Sequence, residues 1–183
     1  MAKRLVITIS IVAVVAAAAV TATQARWSGG LGGRYGNSVG VPTRVGVPFS
    51  VGMIQLRARH RVRIESVRLH QPSVGVAYLG AGVHPANRGM VGTARGFPPS
   101  FPRVRMRRAS GTVVPAGTTL LLVIGLRATH VGGFRVRGVD LLYRERWHGI
   151  DIRRKAHIGV EVDGCAVRAS ARRIRCSPPQ PIF

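Results

Sequence analysis

Arginine and apolar residues alternate along this chain with a period of two, and that period limits what it can fold into. Arg57, Arg59, Arg61 and Arg63 are interleaved with Ala58, His60, Val62 and Ile64. Arg103, Arg105 and Arg107 alternate with Val104 and Met106, and Phe134 and Val136 alternate with Arg135 and Arg137. Ile158, Val160 and Val162 alternate with His157, Glu161 and Asp163. Successive side chains on a strand point to opposite faces, so each stretch buries one side and charges the other. Thr119–Leu126 is apolar on both faces and reads as a central strand. Pro115-Ala116-Gly117 and Gly132-Gly133 supply turn signals. No long helical pattern occurs after residue 25. The fold class predicted is all-β, a single antiparallel β-sandwich of about seven to nine strands.

The N-terminus has a different character. Lys3 and Arg4 precede an uncharged run, and Leu5–Ala22 holds one Leu, five Val, three Ile, six Ala and three hydroxyl residues. Such a run is a membrane address, an N-terminal hydrophobic helix ahead of the sandwich. Two readings of it stand. Thr23-Gln24-Ala25 or Val20-Thr21-Ala22 places small residues where a signal peptide is cleaved. As an uncleaved helix, Leu5–Ala25 would extend about 31 Å, close to the hydrocarbon thickness. Its Ala content weakens an anchor, and Arg26 just past the cut weakens cleavage. Arg26, Arg34 and Arg44 nearly balance Lys3 and Arg4 as topogenic charges. Short N-terminal signals usually export the domain behind them, so the expected location is the cell membrane, single-pass with the domain outside, or the secreted fraction.

Trp27 to Val47 is Gly-rich, with Gly29, Gly30, Gly32, Gly33, Gly36, Gly40 and Gly46. Side chains there offer little to offset the cost of ordering the backbone. The organisation expected is therefore a signal or anchor over 1–25, a tether over 26–45 and one sandwich domain over 46–183, long enough for a real core. Gly80 to Pro102 is rich in Gly and Pro and reads as a long loop. With His84, Arg88 and Arg95, it is the first loop in which to look for a binding site.

Charge bounds the partners. The chain carries 28 Lys and Arg against six Asp and Glu, a formal net charge of +22. Nearly all the basic residues are Arg, a choice that GC-rich codon usage accounts for, although it leaves the shortage of acids unexplained. Such a surface attracts anions: lipid head groups, acidic wall polymers or nucleic acid. Arg57, Arg59, Arg61 and Arg63, with Arg103, Arg105 and Arg107, are the candidate anion-binding residues. Aromatics make up only 5% of residues, too few for a base-stacking platform, and no nucleic-acid-binding signature is present. Nucleic acid is a partner only if the domain faces the cytoplasm.

Cys165 and Cys176 form an even count in a chain expected to be exported, which favours a disulfide. Closing so short a loop contributes about 2–3 kcal/mol. There is neither a redox pair spaced as Cys-x-x-Cys nor a four-ligand zinc pattern.

A leading hydrophobic segment, a Gly-rich spacer and Pro115-Ala116-Gly117 running into a strand resemble the small exported immunoglobulin-like proteins of high-GC Gram-positive bacteria. Gly138-Val139-Asp140-Leu141-Leu142-Tyr143-Arg144-Glu145-Arg146-Trp147-His148-Gly149 resembles the strand, turn and next strand that close such domains. The resemblance covers most of 45–165. It implies an immunoglobulin-like sandwich outside the membrane and carries over no catalytic or ligand residue.

Catalytic motifs fail in context. Gly36-Asn37-Ser38-Val39-Gly40 matches the nucleophile-elbow pattern but lies in the Gly-rich tract, before any strand. Gly29–Gly36 lacks the strand and helix that would aim amides at a phosphate. The histidines, His60, His70, His84, His130, His148 and His157, show no metal-site spacing. Trp147-His148 with Asp151 is the closest constellation of a histidine and a carboxylate, and a hairpin turn with a solvated Asp accounts for it equally well. The six acids, scattered among arginines, are expected to form salt bridges. No enzyme activity, cofactor or metal is expected. The function expected is a non-catalytic binding or accessory module of the cell envelope, engaging anionic lipid, wall polymer or an envelope protein. The alternatives are a structural subunit of a membrane complex and a nonspecific nucleic-acid binder.

Overall fold

The structure is a computed structural model that describes residues 30–34, 39–71, 74–86, 92–99 and 105–171. The hydrophobic segment at 1–25, Arg103 and Cys176 lie outside the described residues. Among the described residues no helix is long and apolar enough to cross a membrane.

The described chain is all-β. Its strands are β1 Leu31–Arg34, β2 Val39–Arg44, β3 Pro48–Ala58, β4 Val62–Leu69, β5 Val76–Pro85, β6 Gly92–Arg95 and β7 Arg107–Arg108. They continue as β8 Val113–Val114, β9 Thr119–Ala128, β10 Gly132–Val136, β11 Val139–Trp147, β12 Ile150–Ile158 and β13 Val162–Val167. One sheet runs β1-β3-β9-β5-β7, with β6 also on β3; the others run β10-β13-β2 and β12-β11-β4-β8. All three contribute to one core, a sandwich-like arrangement. Phe49 of β3 meets Phe134 of β10 with ring centroids 5.9 Å apart. Phe134 lies over Gly164 of β13, its register partner, where a side chain would overlap the ring.

Strand β9 is the central strand that its double apolar character predicts. It lies between β3 and β5, and Leu120 through Leu126 are buried. Leu120, Leu122, Ile124 and Leu126 enter the shared core. Gly125 faces away from it and, with Gly80 of β5, makes room for the Phe97 ring. Burial on both faces removes the alternation expected of a half-exposed strand. The Phe134–Val136 alternation holds as read, with both apolar residues buried and Arg137 exposed.

Several expectations need correction. The sandwich is not purely antiparallel: β2 and β13 pair in parallel, Val41 opposite Gly164. Among the described residues there are thirteen strands, two of them only two residues long. Much of the expected tether over 26–45 is woven into sheets, β1 on β3 and β2 on β13. The edges of β3 and β13 need hydrogen-bond partners for their backbone groups, and a Gly-rich segment supplies them while burying Leu31 and Val41.

Arg57 to Ile64 is not one strand. Strand β3 ends at Ala58 and β4 begins at Val62, in a different sheet, so Arg59, His60 and Arg61 form the crossing. The alternation runs through the crossing because no Gly or Pro marks it. Ile158 to Asp163 likewise spans two sheets, and Asp163 is buried rather than solvent-facing. Gly80 to Pro85 belongs to β5, not to a loop, and Gly92 to Arg95 is β6. Gly80 and Gly82 make room there rather than turns: a side chain on Gly82 would overlap Met106. Gly132 and Gly133 open β10, so the turn lies just before them.

Candidate functional site

The outward face of the β4-β11-β12 sheet is where charge gathers. Arg63 of β4, Arg144 of β11 and Arg153 of β12 stand abreast as register partners. Like charges directly opposed across strands destabilise a sheet. Glu65 relieves the row. It is the extra residue of a β-bulge, since Leu142 pairs with Ser66 and Tyr143 with Ile64. A bulge re-aims a side chain, and the Glu65 carboxylate accepts from Arg144 Nε at 2.5 Å and from Arg153 Nε at 2.7 Å. The backbone of the bulge is held by Ser110, whose hydroxyl donates to the Glu65 carbonyl, and by Gly111 N–H, which donates to that of Ile64. Partial burial pushes the Glu65 carboxyl up, but the two guanidinium groups outweigh it and hold it below its ordinary value.

Four of the other five acids are also engaged. The Glu145 side chain is only 1% exposed, and its carboxylate pairs with Arg154 and accepts the Gly30 N–H at 2.6 Å. Arg135 pairs with Asp163 at 2.5 Å and with Glu161 at 3.3 Å. Asp151 faces Arg146 across the β11–β12 hairpin. The expected salt bridges are therefore present, but they engage arginines other than the anion-binding candidates. Arg57, Arg59, Arg61, Arg63, Arg105 and Arg107 are all exposed, and none has an acidic partner among the described residues. The first four flank one sheet crossing instead of lining one strand.

Asp140 organises the far end of the same face. Its carboxylate lies 3.2 Å from His70 Nδ1, 3.1 Å from His157 Nδ1 and 3.1 Å from Lys155 Nζ. The two imidazole rings have centroids 4.0 Å apart. Burial raises the Asp140 carboxyl, but hydrogen bonds from Lys155 and both histidines bring it down to about 2. Gly138 builds this corner. With φ of 138°, it accepts the His70 N–H at 2.8 Å, and a side chain there would overlap both the Ile158 carbonyl and the His157 ring. Gln71, at φ 44°, turns the chain directly after His70.

Sequence spacing does not disclose this cluster, because the histidines are 87 positions apart. A signal was nonetheless available. His148 and Gly149 have φ of 46° and 82°, the pattern of a two-residue type I′ turn. Counting back along both strands from that turn places Asp140 opposite His157.

Of the loop candidates, His84 is buried on β5, with Nδ1 3.0 Å from the Pro85 carbonyl. Arg95 is exposed at the end of β6, and Arg88 lies outside the described residues. Cys165 is buried on β13, and no cysteine among the described residues is free. A cavity of about 570 Å³ opens beside β5, lined by Val67, Tyr78, Phe97 and Met106 among others, with Arg107 and Arg108 in its wall. Burial pushes the Tyr78 phenol up to about 12, and its hydroxyl donates to the Val67 carbonyl at 3.0 Å.

No family model and no curated protein matches the chain. Among solved structures it is similar to the ASH / PapD-like domain (PapD-like domain 7) of human CEP192, with 11% sequence identity and a TM-score of 0.38. That match covers 77% of this chain and 87% of the other. A likeness so remote carries no argument about function.

Proposed function

We propose that this chain is a non-catalytic, exported or membrane-anchored module that binds anionic surfaces of the cell envelope, with an immunoglobulin-like sandwich as its scaffold. The observation that carries the reading is the distribution of ion pairs. Five of the six acids are engaged with Arg135, Arg144, Arg153, Arg154 or Lys155. The exposed arginines of the β3–β4 crossing and of Arg105–Arg107 have no acidic partner among the described residues, which leaves them to solvent or to an external anion. Exposed cations gather anions at long range, and salt weakens the attraction.

Anionic lipid is the favoured surface within this reading. Arg107 and Arg108 border a cavity with an apolar lining, a pairing that suits an acyl chain beneath an acidic head group. The uncharged run at 5–25 would bring the domain to such a surface. A Cys165–Cys176 disulfide belongs to the same proposal.

Vesicle flotation tests it. The full chain should bind phosphatidylglycerol vesicles more tightly than phosphatidylcholine vesicles, and the difference should shrink steeply with added salt. Equal binding to both vesicle types at low salt would reject an anion-directed function. Binding only to isolated wall polymer would move the ligand from lipid to wall.

A further inference from the structure

We propose a divalent transition-metal site of the zinc class, formed by His70 Nδ1, His157 Nδ1 and Asp140 Oδ1. One donor comes from each of three segments: His70 just past β4, Asp140 on β11 and His157 on β12. Their ligand atoms all lie within 4.8 Å of one another. The Asp140 oxygen is 3.2 Å from one imidazole nitrogen and 3.1 Å from the other. Tetrahedral zinc with bonds of about 2.0–2.1 Å needs donor separations of about 3.3–3.4 Å, and both aspartate–imidazole separations lie within a few tenths of an ångström of that spacing. Two imidazoles and one carboxylate form a borderline donor set that favours zinc, cobalt, nickel or copper over magnesium or calcium. Water would complete the coordination, as the exposure of His157 allows.

The donors are placed in advance. Gly138 holds the His70 backbone and leaves room for the His157 ring, and the hairpin register sets His157 directly opposite Asp140. At each imidazole the ion takes the Nδ1 position that otherwise faces Asp140; a neutral ring then carries its single proton on Nε2, and a protonated ring releases one proton to solvent. Metal binding and the histidine–aspartate hydrogen bonds are therefore alternative states of one cluster.

Lys155 distinguishes the two states. Its ammonium, 3.1 Å from Asp140 Oδ2, supports the carboxylate in the ion-free state and repels a dication bound at Oδ1. Lys155→Gln should therefore tighten metal binding by several-fold, up to about tenfold.

The experiment titrates the purified full chain with Co²⁺, read by its visible spectrum, and with Zn²⁺, read calorimetrically, checking each variant's fold by circular dichroism. One ion should bind per chain. His157→Ala and His70→Ala should each weaken binding at least about tenfold, while His130→Ala should leave it unchanged. Absence of saturable 1:1 binding would overturn the assignment. Binding that survives both histidine substitutions would also overturn it, as would weaker binding by folded Lys155→Gln.

Discussion

Glu65 sits in the bulge of β4 and holds Arg144, a residue of the neighbouring strand, at 2.5 Å, with Arg153 one strand further at 2.7 Å. A single acid thereby pairs with two of the three arginines that stand abreast. Removing its charge as Glu65→Gln should lower the urea midpoint at neutral pH. The effect should be modest, because both arginines are more than half exposed.

The pH dependence has a fixed sign. Glu65 is held below its ordinary value of 4.5 in the folded chain. Its contribution is thus complete above that value and is lost as pH falls through the folded pKa. Urea melts of wild type and Glu65→Gln should differ at neutral pH and converge on acidification. A gap that persists undiminished in acid would contradict the role given to this carboxylate.

Glu145 and Arg154 are a buried counterpart, with Gly30 N–H as a third partner. Glu145→Ala leaves the Arg154 guanidinium without its carboxylate in a largely buried site and should cost about 3–5 kcal/mol. Replacing both residues by Leu should recover most of that loss, since an apolar pair needs no compensating charge. Chemical denaturation of the single and double variants measures this directly. A double variant no more stable than Glu145→Ala would show that the pair is needed as a pair.

Gly138 should tolerate no side chain. Its φ of 138° and the overlap with the Ile158 carbonyl and the His157 ring predict that Gly138→Ala costs about 1–3 kcal/mol. The same change should displace the His157 ring from Asp140, read as a change in the imidazole resonances by NMR. An unaltered His157 environment would refute the positioning role.

The fold was legible wherever alternation stayed within one strand. Phe134 and Arg135 point to opposite sides as their period demands, and Thr119–Leu126 is central because it is apolar on both faces. Period alone does not mark a sheet crossing, so Arg57 to Arg63 read as one ridge although Arg59 and Arg61 lie between sheets. Gly80 and Gly82 read as loop because glycine signals turns, whereas here it clears space for Phe97 and Met106. Asp163 and Glu145 defied the rule that charge faces water because each is buried with an arginine partner. The His70–Asp140–His157 cluster arises from strand register and from a connection between distant strands, and residue spacing reports neither.

Location and cysteine chemistry are tested together. Cell fractionation should recover the chain with membranes or outside the cell, and N-terminal sequencing should then separate an anchor from a cleaved signal. Non-reducing peptide maps of natively exported material should contain one fragment linking Cys165 to Cys176. An intact soluble cytosolic chain would contradict the exported location, and two free thiols in exported material would contradict the disulfide.

The most direct measurement compares wild type with a chain in which Arg57, Arg59, Arg61 and Arg63 are all replaced by Gln. The readout is the ratio of affinities for anionic and neutral vesicles at low salt, in which any contribution from residues 5–25 largely cancels. Each arginine near an anionic bilayer contributes about 1 kcal/mol, so the ratio should fall at least about tenfold in the variant while its circular dichroism stays unchanged. An equal ratio for the two chains would mean that these arginines merely face solvent, and would contradict the anionic-surface function.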